Sequence, residues 1–362
     1  MRKLLCALAA FALLGMPTAT QASDWCTDSD DAALPITLQV EGTDATGHYA
    51  LPSSSPQGLV VFAHGYGHTS KSWKHHLSMA ARDLKVIAIA MDYRGTTIVG
   101  DPNAATPSSR GWRVAEGALD SIVAAKHFEA ACAAELSGKL FVDFGVSMGG
   151  NTSGLIAAAG AKRSTGTPLF DYWINVEGAT NVVETYHEAS AVAPFNAFAA
   201  QAKADIEAEM GGTFAEKREV YLERAVVTRA DDIAAAGIHS VVLVHGLDDG
   251  LVPYNQSREM AEALRAVGVG YEFYTVARRD AQSEQDTTIT GTVIGPVKPD
   301  YVSPLAGHAS EKSTTNSVMQ QSFAALRGIY QGQPFLAKGC YRHFLVDDGV
   351  SREIAGDGIC PH

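Results

Sequence analysis

A strand-turn-helix pattern in the middle of this 362-residue chain limits its fold more than any other feature. Residues 139–144 are largely apolar and β-forming, and residues 155–161 are small and helix-forming. Between them Gly-Val-Ser-Met-Gly occupies positions 145–149, so Ser147 stands at the apex of a sharp turn. Glycines two residues to either side let strand and helix approach without a Cβ clash. The pattern is typical of a nucleophilic serine, and the N–H groups that begin the helix point to where an oxyanion would form.

Side chains that could complete a catalytic triad with Ser147 follow later in the chain. Residues 241–244 form an apolar run that leads into a loop with Asp248 and Asp249. His308 lies in a small-residue loop, after a further strand-like run. Serine, acid and histidine therefore occur in the order of α/β-hydrolases, which differs from the orders in trypsin-like and subtilisin-like enzymes.

Other histidines offer alternative roles. His343 also follows the acid, but it lies in a tail framed by cysteines, so His308 is the better candidate for the base. His64 and His68 are four residues apart, as metal-binding pairs often are. They flank glycines in a predicted loop, and no glutamate follows at metalloprotease spacing. The sequence therefore predicts no metal site.

With these motifs the chain resembles the α/β-hydrolase superfamily over about residues 55–335. More narrowly, it resembles secreted esterases and the hydrolase domains of prolyl-oligopeptidase-type peptidases. Their loop after the seventh strand reads His-Gly-x-x-Asp-x-x-Val-Pro, which matches residues 245–253 and implies that Asp249, rather than Asp248, is the acid. Their His-Gly-x loop after the first buried strand implies an oxyanion donor at the backbone N–H of Tyr66. The second donor would be the N–H of Met148, which directly follows the nucleophile.

Continuous apolar runs alternate with helical patterns along the chain. Residues 59–63, 86–91 and 172–176 are typical of strands buried on both faces of a parallel sheet. Residues 36–40 and 47–51 predict a hairpin at the sheet edge. We therefore expect the α/β class: an α/β-hydrolase fold with a mostly parallel central sheet, helices on both faces and a small helical cap.

The predicted domain organisation has three parts. Residues 1–22 form a signal peptide, residues 23–335 the hydrolase domain, and residues 336–362 a disulfide-bonded tail. Residues 194–236 are helical in pattern and predict either a cap over the site or a crossover helix packed on the sheet. Residues 278–306 form a second, polar insertion before the candidate histidine.

The signal peptide prediction depends on the first residues. Arg2 and Lys3 precede an apolar stretch at 4–15, and small residues at 20–22 form a cleavage site. The apolar stretch is shorter than the roughly 20 residues of a transmembrane helix. We therefore expect a protein without a transmembrane segment that is secreted or periplasmic.

Four cysteines remain after such processing: Cys26, Cys132, Cys340 and Cys360. An even number in an exported chain favours two disulfides over zinc, since no Cys-x-x-Cys pair is present. Three connectivities are possible. We expect Cys340 to pair with Cys360, because they bracket a short tail loop, and by elimination Cys26 to pair with Cys132.

Composition and the absence of other motifs exclude several classes of partner. Formal net charge is −12, with 28 basic and 40 acidic side chains and no basic patch, so nucleic acid is not an expected partner. Neither a phosphate-binding loop nor a dinucleotide glycine pattern follows a strand, so no cofactor is expected.

These observations predict acyl transfer, in which Ser147 attacks a carbonyl, His308 takes its proton and Asp249 orients the imidazole. Small-molecule or polymeric esters are the expected substrates, because no propeller domain is recognised that would select peptides. A polyester hydrolase, for which the chain is partly similar to cutinases, and a serine peptidase of prolyl-oligopeptidase type are the alternatives. A catalytically silent binding protein is disfavoured by the intact triad.

Overall fold

A mostly parallel β-sheet lies at the centre of the protein. The computed structural model describes residues 26–28, 30–96, 111–247, 249–277, 308–333 and 339–357. Within these residues the sheet has ten strands: β1 (Leu34–Val40), β2 (Thr43–Ala50), β3 (Gly58–Ala63), β4 (Val86–Met91), β5 (Leu140–Val146), β6 (Tyr172–Val176), β7 (Ser240–Gly246), β8 (Tyr271–Val276), β9 (Tyr341–Asp347) and β10 (Val350–Gly356). Their spatial order is β1-β2-β4-β3-β5-β6-β7-β8-β9-β10. From β4 to β9 neighbouring strands are parallel, and β1, β2 and β10 are antiparallel to their neighbours.

Helices connect most of these strands. In the described ranges they are α1 (Lys74–Met79), α2 (Val114–Ala131), α3 (Ala133–Leu136), α4 (Met148–Ala158), α5 (Val182–Val192), α6 (Ala197–Met210), α7 (Phe214–Arg224), α8 (Ala230–Ala236), α9 (Asn255–Ala266) and α10 (Ser317–Tyr330). Short 3₁₀ turns lie at Ser70–Trp73 and Val226–Arg229, and a π turn lies at Ala80–Leu84. No helix among the described residues has the length and apolarity to span a bilayer.

Both faces of the sheet are buried, because successive strand residues point to opposite sides. Leu59 and Val61 of β3 belong to an apolar cluster with residues of α2, α4, α8 and α9. Val60 and Phe62 belong to a second cluster, with residues of α1 and α10. The expected α/β architecture, a mostly parallel sheet with helices on both faces, is confirmed. The predicted edge hairpin corresponds to β1 and β2.

Three helices between β6 and β7 form a unit that we call the cap: α5, α6 and α7. Side-chain oxygens begin two of them, since Asn181 accepts from the Glu184 N–H and Asn196 from the Ala199 N–H. The buried Tyr221 of α7 packs against Tyr186 of α5, with ring centroids 5.0 Å apart.

The limits of the cap differ from the predicted range 194–236. The cap begins earlier, at the start of α5, since the helical pattern of residues 182–192 had not been recognised. It also ends earlier, because α8 packs on α4 and its Ile233 is buried in the core. Within the range 194–236, α6 and α7 therefore belong to the cap as defined above, whereas α8 packs on the core.

The C-terminal residues are part of the sheet, which corrects the predicted domain boundary at 335. β9 pairs with β8 in parallel, and β10 completes a hairpin with β9. Aromatic rings support this pairing, since His343 stacks on Phe273 with centroids 4.6 Å apart. His343 also bonds Thr275 Oγ1 at 2.7 Å, so its ring has a structural role within the sheet.

The cysteine prediction is confirmed for one pair. Cys26, just before β1, is bonded to Cys132 at the end of α2, and both are fully buried. Cys360 lies outside the described residues, so its pairing with Cys340 stays a prediction. The proposed signal peptide and the second insertion also lie outside them, and export stays a prediction.

Removal of the Cys26–Cys132 bond should lower stability. The bond closes a segment with a sequence separation of 106, so it restricts the unfolded chain strongly. We expect Cys26→Ala/Cys132→Ala to lower the free energy of unfolding by about 2–5 kcal/mol, measured by urea denaturation. Wild-type protein kept under reducing conditions should show a similar loss. An unchanged unfolding midpoint in the double variant would contradict this expectation.

Candidate active site

Ser147 occupies a strained turn between β5 and α4. Its backbone has φ 58° and ψ −126°, a conformation that residues other than glycine rarely adopt. A Cβ on Gly145 would lie 2.1 Å from the Gly149 carbonyl oxygen, and a Cβ on Gly149 would lie 2.2 Å from the Ala63 carbonyl oxygen. Both glycines are therefore required for the close approach of strand and helix. The turn directs the serine side chain into a cavity.

Asp249 and His308 are brought together beside this turn. Nδ1 of His308 donates to Oδ2 of Asp249 at 2.7 Å. Oδ1 of Asp249 accepts from the N–H groups of Leu251 and Val252, at 2.8 and 3.0 Å, so the carboxylate is fixed on both oxygens. Nε2 of His308 is buried and has no hydrogen-bond partner among the described residues. It is therefore the ring nitrogen available to the serine hydroxyl. Asp248 lies outside the described residues.

The electrostatics of this pair suit proton transfer. Burial would raise the pKa of Asp249, but attraction to His308 and His245 and the hydrogen bond from His308 lower it below its ordinary value. Burial would lower the pKa of His308, but attraction to and the hydrogen bond with Asp249 raise it above its ordinary value. Asp249 thus stays ionised and stabilises the imidazolium that forms when a proton arrives.

Glu177, a residue that the sequence analysis did not assign, joins the loops of the acid and the histidine. It follows β6 with φ 47° and is fully buried. Its Oε1 accepts from the Gly246 N–H at 3.0 Å, and its Oε2 accepts from the Ala309 N–H and lies 3.3 Å from His308 Nδ1. Burial and the neighbouring Asp249 raise the pKa of Glu177 well above its ordinary value. The two adjacent carboxyl groups therefore differ in charge: Asp249 carries the negative charge, and Glu177 does not.

Glu311 is a second missed carboxylate, and it ties the histidine loop to the loop after β3. It is buried, it accepts from the Gly65 N–H, and its Oε2 lies 2.5 Å from His68 Nδ1. Although burial acts in the opposite direction, attraction to His68 lowers the pKa of Glu311. A Cβ on Gly65 would lie 2.8 Å from Glu311 Oε1 and 3.2 Å from Ser147 Cβ, so this loop lies against the serine.

The candidate oxyanion residues border the same region. Met148 is the first residue of α4, so its N–H lacks an acceptor within the helix. The Tyr66 side chain lines the cavity, and its hydroxyl donates to the Asp205 carboxylate of α6. Both residues thus lie beside Ser147, and the donation of their N–H groups to an oxyanion remains a prediction.

The cavity at Ser147 has a volume of about 400 Å³ and lies between the sheet edge and the cap. Aromatic rings of Tyr66, Trp112 and Phe198 form part of its wall. Among the described residues, helices α5 and α6 contribute most of the remaining wall, and residues 250–253 after the acid also line it. A compact apolar group could occupy this space next to the nucleophile.

Among the described residues, Glu177, Asp249 and His308 form one cluster whose ligand atoms lie within 4.8 Å of one another. Most of these atoms already exchange hydrogen bonds with one another or with backbone N–H groups. We therefore assign the cluster to proton transfer and to the positioning of His308.

The pH dependence of His308 tests the role of Asp249. Asp249 favours the imidazolium, so its replacement by alanine leaves burial to favour the neutral ring, and the pKa of His308 should fall. Turnover should fall by roughly 10⁴-fold. NMR titration of the His308 ring, assigned with His308→Ala, measures the pKa. In the wild type kcat/KM should rise with pH through the raised pKa, because only neutral His308 can accept the serine proton. Asp248→Ala is the matched control, and an equal loss there would contradict the assignment.

The positioning role of Glu177 has a kinetic signature. Glu177→Ala leaves two buried N–H groups without their acceptor and frees the histidine loop, so kcat should fall about 10- to 100-fold. KM should change little, because Glu177 does not line the cavity. Steady-state kinetics separate the two constants, and Glu353→Ala on the exposed β10 is the control. A rise in KM with unchanged kcat would assign Glu177 to binding instead.

Comparison with known proteins gives a family match for this chain. Residues 69–280 match the prolyl oligopeptidase family. A search of curated protein sequences gave no match.

Solved structures with the same fold include a puromycin-hydrolyzing peptidase of Mycobacterium tuberculosis, at 18% identity and TM-score 0.52, covering 83% of this chain and 40% of that one. An uncomplexed acylaminoacyl peptidase of Pyrococcus horikoshii is similar at 16% identity and TM-score 0.52, covering 81% of this chain and 41% of that one. The chain thus spans about two fifths of the length of these structures, and the likeness at such identities is one of fold. By its match over more than half of its length, the chain belongs to the prolyl oligopeptidase family, as a serine hydrolase with an α/β-hydrolase fold.

Proposed function

We propose that this protein hydrolyses carboxylic esters with a compact, apolar acyl or aryl group. The observation that supports this most is the cavity of about 400 Å³ beside Ser147, with its aromatic and aliphatic wall. Such a wall binds apolar groups well but offers few hydrogen bonds to a peptide backbone. Among the described wall residues, Ser147 and Glu188 are the polar exceptions, since the hydroxyl groups of Tyr66 and Thr185 already have hydrogen-bond partners outside the cavity.

The reaction proceeds through an acyl-enzyme. Ser147 Oγ attacks the ester carbonyl carbon while His308 Nε2 accepts the hydroxyl proton. The developing oxyanion accepts hydrogen bonds from the Met148 and Tyr66 N–H groups. The intermediate collapses, and His308 returns the proton to the departing alcohol. Water then enters, gives a proton to His308 and attacks the acyl carbon, and the carboxylic acid leaves as Ser147 regains its proton.

Amide hydrolysis is the second candidate, and the family match favours it. Two structures of the same fold are described as peptidases. The catalytic groups would be the same, but a departing amine must be protonated as the bond breaks, so an amide is the harder acyl donor. Polyester cleavage is a further form of the ester reaction, in which one end of a polymer occupies the cavity.

The choice between esters and amides is measured directly. We expect kcat/KM for a short p-nitrophenyl ester to exceed that for matched aminoacyl and dipeptidyl anilides by at least about 100-fold, because the anilide depends on leaving-group protonation. Ser147→Ala should lose about 10⁴-fold or more of the ester activity and should not react with a fluorophosphonate. Anilide turnover equal to ester turnover would establish the peptidase instead. Release of soluble products from a polyester film would identify the polymer as a substrate.

A further inference from the structure

Among the residues that the structure describes, one carboxylate stands in the wall of the Ser147 cavity. It is Glu188 of α5, which lines the space together with the nucleophile and the aromatic rings. None of the described residues that line this cavity is lysine, arginine or histidine. The carboxylate therefore faces an apolar space in which the described residues supply no counter-ion.

The charges that act on Glu188 have the same sign as its own. Glu184 lies one turn earlier on α5, and Asp249 follows β7, next to the residues 250–253 that line the cavity. Burial raises the pKa of Glu188 to about 7, with further contributions from Glu184 and Asp249. No hydrogen bond or ion pair joins Glu188 to another described residue. Glu184 cannot compensate the charge of Glu188, because it is itself a carboxylate. Its own Oε2 is buried and has no hydrogen-bond partner among the described residues.

The aromatic rings of the cavity add a second attraction for positive charge. Tyr66 lies between Trp112 and Phe198, with ring centroids 5.9 and 5.7 Å away. Faces of tyrosine, tryptophan and phenylalanine attract organic cations, most strongly where water is excluded. An alkylammonium group is cationic and carries apolar methyl or methylene groups. It is therefore complementary to a cavity that combines a carboxylate with aromatic rings.

We propose that the Ser147 cavity selects substrates that carry an organic ammonium group, protonated or quaternary, with Glu188 as its counter-ion. The inference rests on the proposed function, because it names the substrate class of the same site. The ammonium group belongs to the acyl or to the alcohol portion of the ester. Its arrival neutralises the unpaired carboxylate and fills the cavity with methyl or methylene groups.

Two pairs of isosteric esters test the proposal by turnover. Acetylcholine is compared with 3,3-dimethylbutyl acetate, and a 4-(trimethylammonio)butyrate ester with the same ester of 5,5-dimethylhexanoate. The two members of each pair differ only in that a neutral carbon replaces the charged nitrogen, so their shape is the same while their charge differs. We expect the ammonium member of at least one pair to have a kcat/KM about tenfold higher, the size of one partly buried charge contact. A ratio near 1 in both pairs would overturn the proposal.

Glu188→Gln keeps the shape of the side chain and removes its charge. The ratio within the discriminating pair should fall to about 1 in this variant, and a general loss of activity cancels in that ratio. Glu219→Gln is the matched control, because Glu219 is an exposed carboxylate of α7 and its removal changes net charge equally. A preference that survives in Glu188→Gln would overturn the role of this residue.

Binding without turnover separates this inference from the proposed function. In the Ser147→Ala background, benzyltrimethylammonium should bind, and Glu188→Gln should weaken its Kd about tenfold in isothermal titration calorimetry. If no ester is hydrolysed but this binding pattern is found, ester hydrolysis fails and the ammonium site stands. If neutral esters are hydrolysed but the cation does not bind, or binds equally to both proteins, the ammonium site fails and ester hydrolysis stands.

Discussion

The hydrogen-bond ladder of the parallel sheet continues by one bond past the end of β5 and by one bond past the end of β6. The site depends on these two additional bonds. The Ser147 N–H donates to the Val176 carbonyl at 3.0 Å, and the Glu177 N–H donates to the Val244 carbonyl at 2.9 Å. Each bond holds a residue with positive φ in place, at a cost that the surrounding sheet offsets. The nucleophile and the carboxyl that anchors the histidine loop are therefore extensions of the sheet. Helices pack on both faces of this sheet.

The sequence was sufficient for those features whose signal is local. Ser147 could be predicted because its turn needs glycines at fixed offsets, and the central strands because burial on both faces leaves an unbroken apolar run. Glu177 carries no such signal, since a glutamate after a strand is ordinary until the fold places it between two loops. Glu311 lies three residues after His308, but its partners Gly65 and His68 are some 240 residues earlier in the chain.

The errors have equally specific causes. β9 was missed because its side chains are mostly half-buried, so its pattern lacks the apolar continuity of the central strands. The start of the cap was missed because α5 mixes glutamates with alanines and valines, and both of its glutamates place carboxylate oxygens inside, one buried and one in the cavity wall. For the strand and for the helix the deciding information was a contact between distant segments. The choice of Asp249 over its neighbour is a separate case, because it came from resemblance, and strand position alone allows either.

The bond between Tyr66 and Asp205 has a consequence for how this enzyme can change. Tyr66 belongs to the loop beside the nucleophile, and Asp205 is a buried residue of α6, so one bond crosses from the catalytic body to the cap. In many enzymes a covering element can be exchanged without disturbing the reaction centre. Here a replacement cap must supply an acceptor at the position of Asp205, or the loop beside the nucleophile keeps its bonds to Glu311 but loses its bond to the cap. A change of cap therefore affects substrate selectivity and reaction rate together, and a laboratory graft of a new cap has to preserve both.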